Sequence, residues 1–317
     1  MANRTILKLP LIDFSNLKQE PQAWESTKTR VRKALEEYGC FEAKFDEIPL
    51  HLRKSIFDAL KQLFDLPLEN KLLNTSNKPY HAYLGQDAMV PLYESMGIDN
   101  ALAPESIETF SNLMWAHGNP TFSQIVESYV EKLSELDKIV RRMVVESFGL
   151  EKYMDEHMES TNYVIRVQKY DAPKSHENNN NNVLGFPSHT DKNIVSILFQ
   201  NEVNGLEMQT KTGHWITKDQ LSPNSFVVMI GESLHAWTNG WLHSPHHRVM
   251  MAGDKERYSI GLFSVPKSGY IIKAPEEVVD EEHPLLFKPY EYFQFLDFHL
   301  EAGRLATPVD LKAYCGA

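Results

Sequence analysis

The chain contains 317 residues, of which 42% are hydrophobic and 24% are charged, as is typical of a globular protein. Its formal net charge of −11 would repel a phosphate backbone, so we expect no nucleic-acid partner. No run approaches the roughly 18 apolar residues of a membrane span, and we expect no membrane partner. Cys40 and Cys315 are too few for a disulfide framework or a cysteine-based zinc site. Together with an N-terminus that has no apolar signal core, these features predict a cytoplasmic protein.

The N-terminal region, about residues 1–160, alternates short strands with amphipathic helices. Apolar residues at helical spacing predict three helices, and β-type runs predict two strands. The helices cover 24–38, 56–64 and 121–148, and the strands cover 9–13 and 40–45. The third helix has the longest apolar stripe, so we expect it to pack behind a sheet.

From about residue 161 to about 275 the pattern changes to short β-type runs separated by turn signals, which favours a sandwich or barrel. The runs cover 163–170, 194–199, 205–209, 226–230, 247–251 and 258–265. Five asparagines at 178–182 are typical of a flexible surface loop. The C-terminal segment, about 276–317, contains a helix predicted near 289–301. Because we find neither an internal repeat nor a linker, we predict one domain over 1–317.

His189 and Asp191 stand directly before an apolar run that begins at Ile194. Burying an unpaired imidazole and a carboxylate is costly, so a bound cation is the favoured explanation. On an extended segment, a spacing of two residues turns both side chains to one side. Two histidines and one carboxylate form the facial set of non-haem Fe(II) oxygenases, which leaves other coordination positions open.

The third ligand remains open among His243, His246 and His247. His247 is favoured because it leads into the apolar run that starts at Val249, just as His189 precedes Ile194. By itself, however, His-x-Asp is a weak signal, and a single histidine near a core is more often structural.

Looser His-x-Glu pairs also occur, at His157 and Glu159 and at His299 and Glu301. Both lie in helical stretches, where residues two positions apart diverge, so we expect a solvated surface role for them.

Arg257 and Ser259 lie ten and twelve residues after His247, on one face of a predicted strand. An inward arginine needs an anionic partner, and its planar fork suits a carboxylate. The simpler alternative is a structural salt bridge of Arg257.

His189, Asp191, His247, Arg257 and Ser259, in this order and spacing, resemble the motif of the plant 2-oxoglutarate/Fe(II)-dependent dioxygenases. The resemblance extends over nearly the whole chain. Within the family, the chain is most similar to the subfamily of specialised metabolism that includes glucosinolate side-chain, lignan ring-closing and steroidal-alkaloid enzymes. The matching segments are LPLIDF, ALEEYGCFEA, FDLPLENK, GLEMQTKTGHWI, AWTNGWLHSPHHRV and VDEEHPLLFKPY.

The resemblance implies a mixed α/β, mainly β fold: a double-stranded β-helix (jelly roll, cupin-like) backed by N-terminal helices and followed by a C-terminal helix. It implies Fe(II) held by the facial triad, 2-oxoglutarate and O₂ as cosubstrates, and ascorbate as a possible stimulant. It implies that Arg257 and Ser259 hold the distal carboxylate of 2-oxoglutarate. Tyr170, the single match to the second tyrosine of the family's Asn-Tyr-Tyr segment, becomes a cosubstrate contact. Phe263 becomes a substrate contact, although ordinary barrel core is the alternative.

The implied function is oxidation of a small, hydrophobic plant metabolite such as a flavonoid, alkaloid, lignan or terpenoid, with hydroxylation as the expected outcome. O-demethylation, oxidative ring closure, a 2-oxoglutarate-independent oxidase and a non-catalytic cupin-like binding module stay open as alternatives. Departures from the family pattern, such as Trp241 and Glu232, spare the triad and predict a difference in substrate choice. We expect a monomer whose substrate pocket is lined partly by residues 80–97 and the C-terminal helix.

Overall fold

A computed structural model describes residues 8–15, 17, 21–173, 182–217, 225–304 and 310–317. Of the asparagine run predicted to form a surface loop, only Asn182 is among them. Within the described residues, no helix is long and apolar enough to cross a membrane.

The strands and helices follow the order expected from the sequence, with several additions. The strands are β1 Leu11–Asp13, β2 Cys40–Lys44, β3 Tyr93–Ile98, β4 Thr161–Tyr170, β5 Val183–His189, β6 Val195–Gln200, β7 Leu206–Gln209, β8 Trp215–Thr217, β9 Ser225–Ile230, β10 His247–Met251, β11 Arg257–Pro266, β12 Ile271–Ile272 and β13 Tyr290–Glu291. The helices are α1 Pro21–Glu37, α2 Leu50–Phe64, α3 Leu68–Lys71, α4 Pro104–Met114, α5 Pro120–Ser147, α6 Met154–Glu159, α7 Glu232–Trp237, α8 Tyr292–Arg304 and α9 Leu311–Cys315.

Two sheets carry the candidate site. In the described part of the chain, the larger sheet has the strand order β1-β2-β9-β6-β11-β4-β3, and the smaller has the order β5-β10-β7-β8. Side chains of both sheets line one cavity, so the cavity lies between them. This arrangement, with helices before and after the sheets, confirms the predicted mixed α/β, mainly β, jelly-roll class.

Helix α5 closes the back of the larger sheet, as its apolar stripe predicted. It begins where the Asn119 side chain accepts a hydrogen bond from the Phe122 N–H at 3.0 Å. Its buried face packs against α1, α2 and α4 and against strands β6 and β11. The larger sheet, which carries Arg257 and Tyr170, is therefore supported from behind by a long helix.

Three strands from the N-terminal region extend the larger sheet beyond the 161–275 core, and β1 forms one edge beside β2. β2 pairs with β9, and β3 forms the edge next to β4. The strand β3 was not predicted because Tyr93–Ile98 contains glutamate, serine and glycine and shows little alternation. Its pairing with β4 is what brings residues 79–84 to the cavity.

Candidate active site

Two antiparallel strands place the first and third members of the predicted triad opposite each other. His189 ends β5 and His247 begins β10, and the two residues are paired in the ladder. Their ring centroids are 4.2 Å apart. Each Nε2 lies 3.7 Å from Oδ1 of Asp191, just beyond the end of β5. Strand register therefore assembles three ligand atoms from two distant segments.

The same local motif orients both imidazoles. His189 and His247 each follow a proline by two residues, and the Nδ1–H of each faces that proline's carbonyl oxygen. The distances are 2.9 Å to Pro187 and 3.4 Å to Pro245. With Nδ1 as the donor, each Nε2 is left as the lone-pair atom that faces Asp191.

The electrostatic setting keeps the first imidazole neutral. Burial lowers the pKa of His189 to about 3, and the neighbouring His247 acts in the same direction. Neutral imidazole is the form that ligates a metal, so His189 needs no deprotonation at neutral pH.

Asp191 is held from β6 and α7. Ser196 donates a hydrogen bond to its Oδ2, which leaves Oδ1 for the histidines. The backbone N–H of Glu232 donates to the Asp191 carbonyl oxygen at 2.8 Å. Hydrogen bonds of this kind fix a ligating carboxylate and are as much a part of a metal site as the ligands.

The three donor groups fit a divalent cation. Within the described residues, His189, Asp191 and His247 form the sole cluster of this kind, and their ligand atoms lie within 4.8 Å of one another. Neither His243 nor His246 belongs to it, so the structure singles out His247 among the three histidines left open. Two neutral nitrogens and one carboxylate oxygen on one side suit Fe(II) with positions left for further ligands.

Arg257 lies deep in the same cavity and meets neutral partners. It is 2% exposed, and its Nη1 and Nη2 donate to Ser259 Oγ at 3.3 Å and Gln200 Oε1 at 2.9 Å. Its guanidinium carbon lies 4.9 Å from the ring centroid of Tyr170. None of the described carboxylates forms an ion pair with it, so the structural salt-bridge alternative is wrong among these residues. Its buried Nε also has no partner there.

The remaining predicted residues surround this guanidinium. Ser259 Oγ also donates to Gln168 Oε1 at 2.6 Å. Burial raises the pKa of Tyr170, which therefore stays neutral beside Arg257. Arg257 and Tyr170 are directly paired between β11 and β4, as are Ser259 and Gln168. Gln200 and Gln168 complete the polar pocket. The role of Gln200 was not predicted from the sequence, because this residue simply follows the apolar run 194–199 and matches no motif.

The cavity has a volume of about 250 Å³ and reaches from Arg257 past the triad to the C-terminal helix. Phe263 lies on its wall, four residues beyond Ser259 on the same face of β11. The expectation that residues 80–97 and the last helix line the pocket is confirmed. From these two segments come Tyr80, His81, Leu84, Tyr93, Tyr292, Leu296 and His299.

The expected surface role of two histidines is wrong. His157 is 4% exposed and packs on Trp237 with ring centroids 4.8 Å apart, and burial lowers its pKa well below the usual value. His299 lies on the cavity side of α8. In both cases the helical spacing correctly predicted that the histidine and the glutamate two residues later do not bind one metal ion together. It did not reveal which face of the helix is covered.

Arg166 was also missed. It lies on the cavity face of β4, in alternation with Gln168 and Tyr170. The alternation was readable from the sequence once β4 was predicted, but the resemblance drew attention to Gln168-Lys169-Tyr170 alone.

Family models match most of the region described above. Residues 161–266 match the 2OG-Fe(II) oxygenase superfamily, and residues 9–91 match the N-terminal region of non-haem dioxygenases in morphine synthesis. The Arabidopsis thaliana protein named probable 2-oxoglutarate-dependent dioxygenase AOP1.2 is 51% identical over 94% of this chain and 93% of its own length.

Solved structures agree with these matches. The Arabidopsis thaliana dioxygenase for auxin oxidation 1, in its 2-oxoglutarate complex, superposes with a TM-score of 0.79 at 27% identity, over 87% of this chain and 100% of that one. JOX2 in complex with 2OG, Fe and JA gives a TM-score of 0.76 at 26% identity, over 92% and 84% of the two chains. Fe(II) and 2-oxoglutarate are therefore the cofactor and cosubstrate of this protein type, as predicted. The chain belongs to the plant 2-oxoglutarate/Fe(II)-dependent dioxygenases of specialised metabolism.

Proposed function

We propose that this dioxygenase hydroxylates a small plant metabolite with a largely hydrophobic body. The observation that carries the proposal is the shape of the cavity: the triad and Arg257 open onto a space whose other walls are mainly apolar or aromatic. These walls include Leu84, Tyr93, Phe186, Leu198, Leu206, Val249, Phe263, Val265, Tyr292 and Leu296. Such a pocket takes up an apolar scaffold and shields the reacting carbon from water.

In this proposal, His189, Asp191 and His247 hold Fe(II) through Nε2, Oδ1 and Nε2. Bound Fe(II), together with 2-oxoglutarate and O₂, supplies the oxidising power that replaces a C–H bond by C–OH. The protein's own contribution is positional. The two proline carbonyls aim the imidazoles, and Ser196 holds the carboxylate.

Arg257 and Ser259 bind the distal carboxylate of 2-oxoglutarate in the same proposal. Among the described residues, the buried guanidinium hydrogen-bonds only to neutral groups, so the carboxylate of a bound cosubstrate would neutralise its charge. Tyr170 supports the guanidinium with its ring. Its role is then to fix Arg257 in place as well as to line the cosubstrate pocket.

Phe263 is proposed as a wall of the substrate pocket. It is half-buried, packs against two separate apolar clusters and faces the cavity. In the β11–β6 ladder it stands opposite Ser196, the residue that holds Asp191. This pairing supports a position of the ring near the metal ligands, where the reacting part of a substrate has to lie.

We also propose that residues 1–317 form one domain that acts as a monomer. Support comes from the larger sheet, in which β1, β2 and β3 of the N-terminal region pair with one another or with core strands. Because each region supplies walls to the same cavity, neither can bind the substrate without the other.

The proposal is tested by supplying the purified protein with Fe(II), 2-oxoglutarate and ascorbate and measuring succinate. A metabolite panel follows, with mass detection of added oxygen or lost methyl. Auxin and JA open the panel because similar structures include a dioxygenase for auxin oxidation and JOX2 in complex with JA. We expect succinate in each active reaction and a product 16 mass units heavier (one oxygen atom). Loss of methyl or of two hydrogens instead would identify demethylation or ring closure, and turnover that ignores 2-oxoglutarate would reject the proposal.

A further inference from the structure

A second arginine faces the active-site cavity and has no role in the proposed chemistry. Arg166 lies in the middle of β4, is 8% exposed and lines the cavity. In the ladder it is paired with Gly261 of β11 on one side and with Gly97 of β3 on the other. Both partners lack a side chain, and the positions where one would stand are filled by the His81 backbone beside Gly97 and by Leu198 and the Phe263 ring beside Gly261.

Within the described part of the chain, the hydrogen-bond partners of the Arg166 guanidinium are all uncharged. Nη1 donates a hydrogen bond to the carbonyl oxygen of Tyr80, and Nη2 donates one to Ser95 Oγ. A guanidinium carries five N–H groups, so three of them have no hydrogen-bond partner there. None of the described carboxylates forms an ion pair with it either. A buried cation in this state is unfavourable unless a ligand neutralises it.

The charges of the loaded site point to the same conclusion. Among the described residues that line the cavity, Asp191 is the one acidic side chain. Lys192 is neutralised by Glu232, with Nζ and Oε1 2.8 Å apart. The negative charges of Asp191 and of the doubly charged 2-oxoglutarate are balanced by the positive charges of Arg257 and Fe(II), so the net charge of these four groups is zero. One positive charge, that of Arg166, is left for the substrate.

Arg166 also lies earlier along β4 than the residues of the cosubstrate pocket, since Gln168 follows it by two residues and Tyr170 by four. Gly261, its partner in the ladder, follows Arg257 by four residues, which is roughly 13 Å along a strand. The next cavity-facing residue of β11 is Phe263, the proposed substrate wall. A group bound at Arg166 is thus on the substrate side of the cavity.

We propose that Arg166 binds a carboxylate of the substrate, so that this enzyme acts on an organic acid with an apolar body. The inference rests on the proposed function and deepens it. The guanidinium can donate two parallel, charge-assisted hydrogen bonds to a carboxylate. The corresponding ester is uncharged and accepts only weaker hydrogen bonds from it. The apolar walls then receive the rest of the molecule.

The test uses the anaerobic enzyme loaded with Fe(II) and 2-oxoglutarate. Aromatic, alicyclic and terpenoid monocarboxylic acids are titrated calorimetrically, each beside its own methyl ester. We expect at least one acid to bind at least about tenfold more tightly than its ester, and Arg166→Gln to bring the two dissociation constants together. If no acid on the panel is preferred over its ester, or if Arg166→Gln keeps the preference, the inference is wrong.

Two further variants separate binding from a purely structural role. Arg166→Lys keeps the charge but loses the fork, so the preference for the acid should fall without disappearing. If Arg166→Gln does not fold, Arg166→Lys decides: a reduced preference supports the inference, and an unchanged one contradicts it. Arg142→Gln is the matched control, since Arg142 is exposed on α5 and pairs with Glu146; it should leave the ratio unchanged.

Two measurements keep failure of this inference distinct from failure of the proposed function. Succinate formed from 2-oxoglutarate by the Fe(II) enzyme reports the proposed function and needs no organic acid. An enzyme that forms succinate and oxidises neutral compounds only would retain the proposed function and reject the role of Arg166. The affinity for 2-oxoglutarate should be the same in Arg166→Gln as in the wild type, and a large loss would reassign Arg166 to the cosubstrate.

Discussion

The two ends of the cavity are built in different ways. At one end, paired strands β5, β10, β11 and β4 carry His189, His247, Arg257 and Tyr170 at fixed register, and Asp191 follows directly after β5. At the other end, residues 79–84 and one side of α8 form the wall. Positions on a paired strand are fixed by backbone hydrogen bonds, whereas a loop and a helix end can be repositioned at lower cost. We therefore expect the chemistry shared by the family at the first end and the more variable contacts to substrate at the second, next to the strand residues Arg166 and Phe263.

Loss of a triad ligand should have the largest effect at the strand-built end. We expect His247→Ala to abolish succinate formation and to lower the amount of bound iron, because only two of the three ligands remain. His246→Ala is the matched control, since His246 is adjacent in sequence and outside the cluster. Iron content, succinate and thermal unfolding are measured for both. Normal turnover in His247→Ala would refute the assignment of the third ligand.

Arg257→Ala should have the next largest effect. A carboxylate that loses a charged hydrogen-bond partner forfeits about 3 kcal/mol, which is roughly a hundredfold rise in KM for 2-oxoglutarate. Arg257→Lys should recover part of the loss, because the charge remains while the fork is lost. Initial rates against 2-oxoglutarate concentration give both values. A KM within a few-fold of the wild-type value in Arg257→Ala would remove this residue from the cosubstrate site.

Phe263→Leu tests the boundary between the two ends. As a wall of the substrate pocket, the ring contributes stacking worth about 1 kcal/mol, so we expect a several-fold rise in substrate KM or a changed position of oxidation. The affinity for 2-oxoglutarate should stay the same, and stability should fall by about 1 kcal/mol. A destabilised variant with unchanged substrate kinetics would show that Phe263 is ordinary core.

Leu84→Ala should have the smallest effect and probes the loop-built end. Leu84 is 39% exposed and contributes to the cavity wall, so its truncation removes little core packing. We expect a two- to five-fold change in substrate KM, or about 0.5–1 kcal/mol, with kcat and the requirement for 2-oxoglutarate unchanged. Leu68→Ala, also exposed but absent from the cavity wall, is the control. Equal effects of both variants on substrate KM would contradict the comparison.

The sequence by itself determined the elements with strong periodicity and the motifs that follow them. Helix α5 was predicted over 121–148 and observed as Pro120–Ser147, because one apolar stripe fixes both its type and its buried face. Strands β4 and β11 were predicted within one or two residues. His189, Asp191 and His247 could be proposed because each stands at the edge of an apolar run, where a buried polar group needs an explanation.

The tertiary structure alone decided which distant residues meet. Ladder register placed His247 opposite His189, whereas local pattern favoured His247 among the three candidate histidines without showing which of them meets His189. Strand β3 escaped prediction because its stability comes from pairing with β4 and not from its own composition. That pairing brings Ser95 and Tyr80 to Arg166, and burial of a cation among neutral groups is a property of the assembled sheet. Periodicity reports one face of one element, whereas a site depends on what covers that face.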